Sequence, residues 1–373
     1  MEIIKRIEDK FHSLVMQSKD FKTKRRIVVF ESDDWASIRM SNKNDWGELL
    51  KLGYAVDKRP YERFDTLESA EDIEYLLNVL YKHKDSNGSH PVLTMNMLMA
   101  NPDFMSMDKD NYNYSYETIS ETYRHYWGNT RVLELMKEGF EHGIIMPQSH
   151  GREHFNVKDW ERSLKRYDKD IITAFNYHMC GIAPKEHPEL GNTMMKAFFA
   201  SNEVDQCVIN DIVEEGLKMF KHFWGFHSKT FVAPCYVWND NIEKILSDNG
   251  VKLIQTARRK KATYNSPEAF MYSGQKNKYS QVYSIRNCEF EPATYKGNAV
   301  DTCLSQITKA FNNSNIAVVS THRINYVSGI SKNNRNETLR KLDELLSEIN
   351  KRFPTVEYLS SDKLIDVLLK ETA

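Results

Sequence analysis

The sequence has no surplus of charge: 51 Lys plus Arg face 52 Asp plus Glu over 373 residues, a net charge of -1. Without a basic field to gather phosphates, a nucleic-acid partner is disfavoured. It also has no uninterrupted apolar stretch of the ~20 residues that a bilayer crossing needs. Residues 1–18 mix charged with apolar side chains and lack the apolar centre of an export signal. The expectation is a cytoplasmic protein without a membrane span. The five cysteines, Cys180, Cys207, Cys235, Cys288 and Cys303, are odd in number and far apart, with no C-x-x-C pair to suggest a zinc ribbon or redox site. Reduced thiols are expected. Low-complexity tracts and internal repeats are absent, and with 40% hydrophobic and 28% charged residues the chain reads as an ordinary globular protein with a sizeable core. Nothing in it bears on oligomeric state.

What is present is an alternation of short β-rich apolar runs with amphipathic helical patterns, the signature of a parallel sheet or barrel wrapped by helices. The runs are 27–32, 92–96, 144–149, 230–233, 252–256, 281–286 and 316–321. Between them, Ser69 with Asp72 caps a helix carrying Ile73, Leu76, Leu77 and Leu80 on one face, and Asn239 or Asp240 caps another that stops at Gly250. A late helix bears Leu339, Leu342, Leu345, Leu346 and Ile349 and ends at Pro354. Residues 101–127 differ: Tyr112, Tyr114, Tyr116, Tyr123, Tyr126 and Trp127 crowd a segment rich in Asn, Asp and Ser. This reads as an insertion, either stacking on sugar rings or pinned to the body by its tyrosines. The whole, 1–373, is expected to be one barrel domain with this insertion and a C-terminal helical extension.

In such a barrel, functional groups gather where strands end, so the residues just past each run matter most. The first run leads into Glu31-Ser32-Asp33-Asp34-Trp35, the third into His150-Gly151-Arg152-Glu153-His154, and the last into His322-Arg323. Adjacent carboxylates repel unless a cation or shared proton compensates, and they point to opposite faces if the strand continues. The bland reading is a capping or turn pair; the functional one is a metal site. Two histidines at i and i+4 bind one ion if the segment is helical or a tight loop, and imidazole with carboxylate is a zinc-type donor set. His322 alone is weak evidence, because a lone histidine at a strand end is more often structural.

Taken together, Asp-Asp after the first strand, His-x-x-x-His after the third, a Pro-containing strand end at Pro234 and a His after the last strand resemble the NodB-like polysaccharide deacetylases of the carbohydrate esterase family 4 superfamily, over residues 26–326. The resemblance implies an irregular (β/α)7 barrel and hydrolysis of an acetyl group, N-acetyl by expectation, from a carbohydrate substrate or polysaccharide precursor. It implies that Asp34, His150 and His154 hold a divalent metal, zinc first and cobalt, nickel or manganese otherwise. It makes Asp33 the general base and His322 the general acid. It also implies the Cys235 N–H as oxyanion donor, with Tyr236 or Trp238 lining the sugar site. Two usual partners are missing: Val232 stands where the family has an Arg, and Thr256-Ala257-Arg258-Arg259 lacks the Asp that orients the catalytic His. Arg152, Arg258, Arg286 and Arg323 are the candidates to replace the lost cation. Asn96, and Asn287 with Glu291, sit at strand ends where substrate contacts are expected, although turn chemistry favours Asn there too.

Two rivals remain. His150-Gly151-Arg152-Glu153-His154 also satisfies H-x-x-E-H, the inverted zinc-peptidase motif, which requires a helix that Pro147 and Gly151 disfavour. The missing orienting residues also suit a catalytically degenerate barrel that binds a carbohydrate or a protein.

Overall fold

The computed structural model describes residues 2–370, without the side chains of residues 2–8, 10 and 370. Its main sheet has nine strands: β1 (Arg26–Trp35), β2 (Leu93–Leu98), β3 (Ile145–Gly151), β4 (Thr230–Val232), β5 (Leu253–Thr256), β6 (Val282–Ile285), β7 (Cys288–Glu289), β8 (Ala317–His322) and β9 (Val356–Leu359). Every pairing is parallel, in the order β6-β5-β4-β3-β2-β1-β8-β7, and β9 pairs with the start of β1. Only Arg286 and Asn287 separate β6 from β7, so the two ends of this order are consecutive in the chain and the sheet curls into the expected irregular α/β barrel.

Parallel strands covered by helices are buried on both faces, which is why Ile27, Val28, Val29 and Phe30 form an unbroken apolar run and are all at most 3% exposed. All seven expected runs are strands of this sheet. β7 and β9 add to them. β7 has two residues, too short to carry a pattern, and β9 lies inside the expected helical extension, ahead of the terminal helix Ser361–Lys370.

The helices begin where the side chains dictate. Ser69 and Asp72 form a reciprocal capping box at Ala70–Tyr81, and Asn239 caps Asp240–Asp248 through the Ile242 N–H. Lys332–Arg352 buries Leu339, Leu342, Leu345, Leu346 and Ile349. At the other end, Glu2–Ser18 is helical; Met1 of the leader reading and residues 371–373 lie outside the described residues. No helix among the described residues is long and apolar enough to cross a membrane, and all five cysteines are free.

The tyrosine-rich insertion turns its rings inward. Tyr114 donates to Glu153 (2.6 Å), Tyr116 to Glu215 (2.6 Å), Tyr123 to Glu68, and Trp127 Nε1 to the Glu68 carbonyl (3.0 Å). These bonds pin the segment to the barrel.

Candidate active site at the rim of the barrel

In parallel strands all C-terminal ends share one rim, so the residues after β1, β3 and β8 meet without any further device. Less obvious is how neighbouring residues on a strand turn into one cleft. The β1–β2 register slips between Ser32 and Trp35, and Asp34 adopts a left-handed backbone (φ 73°). This bulge cancels the alternation that would send Asp33 and Asp34 to opposite faces, and both line the same cleft of about 370 Å3. A second slip, between Met97 and Leu98 on β2, skips His150 on β3, followed by Gly151 at φ 116°. His154 then comes from a loop rather than a helix. The inverted peptidase motif therefore lacks its helix, and Glu153 is occupied by Tyr114 and Arg152.

Donor atoms of Asp34, His150 and His154 lie within 4.8 Å of one another. His150 Nδ1–H donates to the Val232 carbonyl (2.7 Å), which leaves Nε2 as the lone-pair atom, 3.6 Å from Asp34 Oδ1. His154 Nε2 is 3.1 Å from the same oxygen. Asp34 Oδ1 and His150 Nε2 are buried with no hydrogen-bond partner, an arrangement that is costly until a cation satisfies it. Burial holds the His154 imidazole neutral, its pKa pushed down to about 3. Burial also works against charge on Asp34, but His154 and Arg39 outweigh it and hold the carboxyl well below its usual range. Two imidazoles with an ionised carboxylate are the donor set of a divalent metal site, so these residues fit one.

Asp33 belongs to a second cluster. Arg286 reaches across from the β6–β7 junction and grips it with both terminal nitrogens (2.6 and 2.8 Å), while its Nε binds Glu31 (2.7 Å). Of the four candidate arginines, Arg286 is the one that reaches Asp33. Arg152 pairs with Glu153 and Glu215, Arg258 with Asp20, and Arg323 with Asp65 and Glu68. Asn96 is fully buried and donates to Asp33 (2.8 Å) and to Gln255 (2.8 Å), so it orients a carboxylate rather than meeting a substrate. Burial raises the cost of a charge on Asp33, yet Arg286 overcomes it and holds the carboxyl far below the usual range.

His322 ends β8 opposite Asp33, with Nε2 3.8 Å from Asp33 Oδ2. Its Nδ1–H donates to Glu291 (2.5 Å), which is itself fixed by Asn325 (2.7 Å). Burial disfavours the imidazolium, but Glu291 more than compensates and pushes the pKa up to about 10. Glu291 thus occupies the orienting position that is vacant in the sequence after the fifth run.

Cys235 and Tyr236 line the cleft on a tight turn, both in left-handed backbone (φ 55° and 58°). Trp238 does not: it is 1% exposed in the core and donates to Glu243 (2.9 Å), which corrects the expected sugar contact. Asn287 clamps the edge of β8 through the Ile316 carbonyl and the Val318 N–H. Sequence reasoning missed Arg39, whose Nη2 donates to Asp34 Oδ2 (3.1 Å), and the wall at Arg59, Tyr61 and Glu62. Tyr61 packs edge-on against His322 (5.7 Å between ring centres). These residues lie in a polar stretch between patterned elements, where nothing marks them.

No family model matches the chain, and no curated protein does. Among solved structures, its course is similar to that of a probable polysaccharide deacetylase from Pseudomonas aeruginosa PAO1, at 8% identity over 93% of this chain and 92% of that one, TM-score 0.45. It is similar to Puue allantoinase at 8% identity over 94% and 93%, TM-score 0.45. It is also similar to a CE4 family pseudoenzyme from Bacillus anthracis at 10% identity over 92% and 66%, TM-score 0.37. The likeness is weak. The chemistry of the cleft has to be read from this chain's own side chains.

Proposed function

We propose that the protein is a metal-dependent hydrolase that removes an acetyl group from the nitrogen of an acylated amino sugar. The observation that carries this reading is one cleft holding three roles: a donor triad with orphaned atoms, a carboxylate held ionised by Arg286, and an imidazole held protonated by Glu291. A binding module needs neither the second nor the third.

Asp34, His150 and His154 would hold the ion. When bound, it supplies the acidification of a water and the polarisation of an acyl carbonyl that a carboxylate as acidic as Asp33 does not supply alone. Asp33 accepts the proton of the attacking water, its orientation fixed by Arg286 and Asn96. The Cys235 N–H is the candidate donor to the developing oxyanion. His322 delivers its Nε2 proton to the departing amine, and Glu291 stabilises the imidazolium until that moment. Acetate and a free amino sugar are the products.

The test is elemental analysis of purified protein together with acetate release from a panel of N-acetylated sugars. About one equivalent of a transition metal with acetate release supports the proposal; a protein that takes up no metal on reconstitution abandons it in favour of a degenerate binding barrel.

A further inference from the structure

The cleft is lined by two arginines, and they differ in what they are committed to. Arg39 is spent on protein carboxylates, at 3.1 Å from Asp34 and 3.8 Å from Asp65. Arg59 has no carboxylate within ion-pair distance among the described residues. Its only hydrogen bond among them runs from Nε to the Pro188 carbonyl (2.8 Å). Glu62 acts on it only at longer range: that carboxylate accepts the Ala183 N–H (2.8 Å) and forms no salt bridge with Arg59. Buried or half-buried arginines elsewhere in the molecule, such as Arg286, Arg323 and Arg335, are all paired.

Arg59 is nevertheless held in place. Its guanidinium lies against Gly191, where a Cβ would come within 2.7 Å of Nη1, and Gly191 itself is at φ 68°. The left-handed backbone favours glycine at that point, and its missing Cβ leaves room for the guanidinium. With Nε engaged, the two terminal nitrogens have no acceptor among the described residues, and they form the fork that matches carboxylate and phosphate oxygens. Lys196 and Lys261 are exposed and act on the lining residue Cys235 at longer range, the Lys196 ammonium lying over the Phe199 ring (5.9 Å). The cleft of about 370 Å3 holds a single acylated sugar, and it shares Tyr61, Tyr236 and His322 with an adjoining cavity of about 540 Å3 that gives room for a substituent.

We propose that Arg59 is the anchor for an anionic substituent, phosphate ester or carboxylate, on a substrate of monosaccharide size. The proposal rests on the deacetylase reading for the identity of the sugar, but not for the anion site.

The experiment measures affinity of the metal-loaded protein for three probes: an N-acetylhexosamine 1-phosphate, an N-acetylated aminouronic acid and the neutral methyl N-acetylhexosaminide. Calorimetry gives Kd, and acetate release is followed in the same samples. At least one charged probe should bind about tenfold or more tightly than the neutral one, and the gap should vanish in Arg59→Gln and partly survive in Arg59→Lys. Unchanged metal content and Tm show that the variants are folded. Which charged probe gains identifies the anion. Equal affinity for charged and neutral probes, a gap that survives Arg59→Gln, or failure of all three to bind would each overturn the anchor. An Arg59-dependent gap with no acetate released from any probe would leave the anchor standing and remove the deacetylase reading.

Discussion

The two walls of the cleft are built differently. One is the rim of the barrel: Asp33 and Asp34 from β1, His150 from β3 and His322 from β8, each on a strand hydrogen-bonded on both sides or at its end. The other lies outside the sheet: the start of the short helix Pro60–Phe64, with Arg59 as its N-cap, is clamped to residues 183–191 by two hydrogen bonds, Arg59 to Pro188 and Ala183 to Glu62. The rim is rigid because a ladder fixes it, and it carries groups whose chemistry needs fixed geometry. The second wall carries the cation of Arg59, an aromatic ring and apolar side chains, which select rather than react. The division is one of place rather than of backbone type, since His154 and Cys235 join the reacting side from a loop and a turn.

That division predicts a graded set of effects. The largest is expected at the triad: Asp34→Ala or His150→Ala should abolish both bound metal and acetate release, read by elemental analysis. Retention of metal in either would move the ion elsewhere. Next, Asp33→Asn should keep its metal while turnover falls roughly 10²–10⁴-fold; loss of metal there would merge the roles of base and ligand.

Arg286→Ala should lower both activity and stability. Arg286 is buried between Glu31 and Asp33, and removing one partner of a buried ion pair costs roughly 3–5 kcal/mol, measurable by denaturant titration. A mild effect would mean that Asn96 suffices to hold Asp33.

A smaller effect concerns pH. The raised pKa of His322, about 10, means that its pairing with Glu291 stabilises the fold fully below the ordinary imidazole value of ~6.5. That contribution fades as pH rises through the raised value. Glu291→Gln should therefore bring the His322 titration, followed by NMR, back down, and the stability gap to wild type should close as pH rises.

Much of the rim was legible in the chain. Apolar runs leading into Asp33-Asp34, His150 with His154, and His322 mark strand ends because strands are short, contiguous and patterned. The partners of those residues were not. Arg286 was one of four candidates of equal standing, since only the curl of the sheet brings the β6–β7 junction over β1 and sends Arg152, Arg258 and Arg323 to other carboxylates. Glu291 was visible only as a polar residue near a strand end. Trp238 misled because an aromatic beside Tyr236 looks the same in sequence whether it faces the cleft or the core, and a one-residue turn decides between them.

The sequence by itself determined the order of the seven patterned strands, a parallel sheet or barrel and the residue types at the strand ends, because these depend on local apolar periodicity and on the residues at the end of each run. Tertiary structure decided which charges meet. Asp33 and Arg286 lie 253 positions apart, and no local pattern encodes a pairing made by curling the sheet. The same holds for Arg59, whose guanidinium meets the Pro188 carbonyl but no carboxylate within ion-pair distance among the described residues.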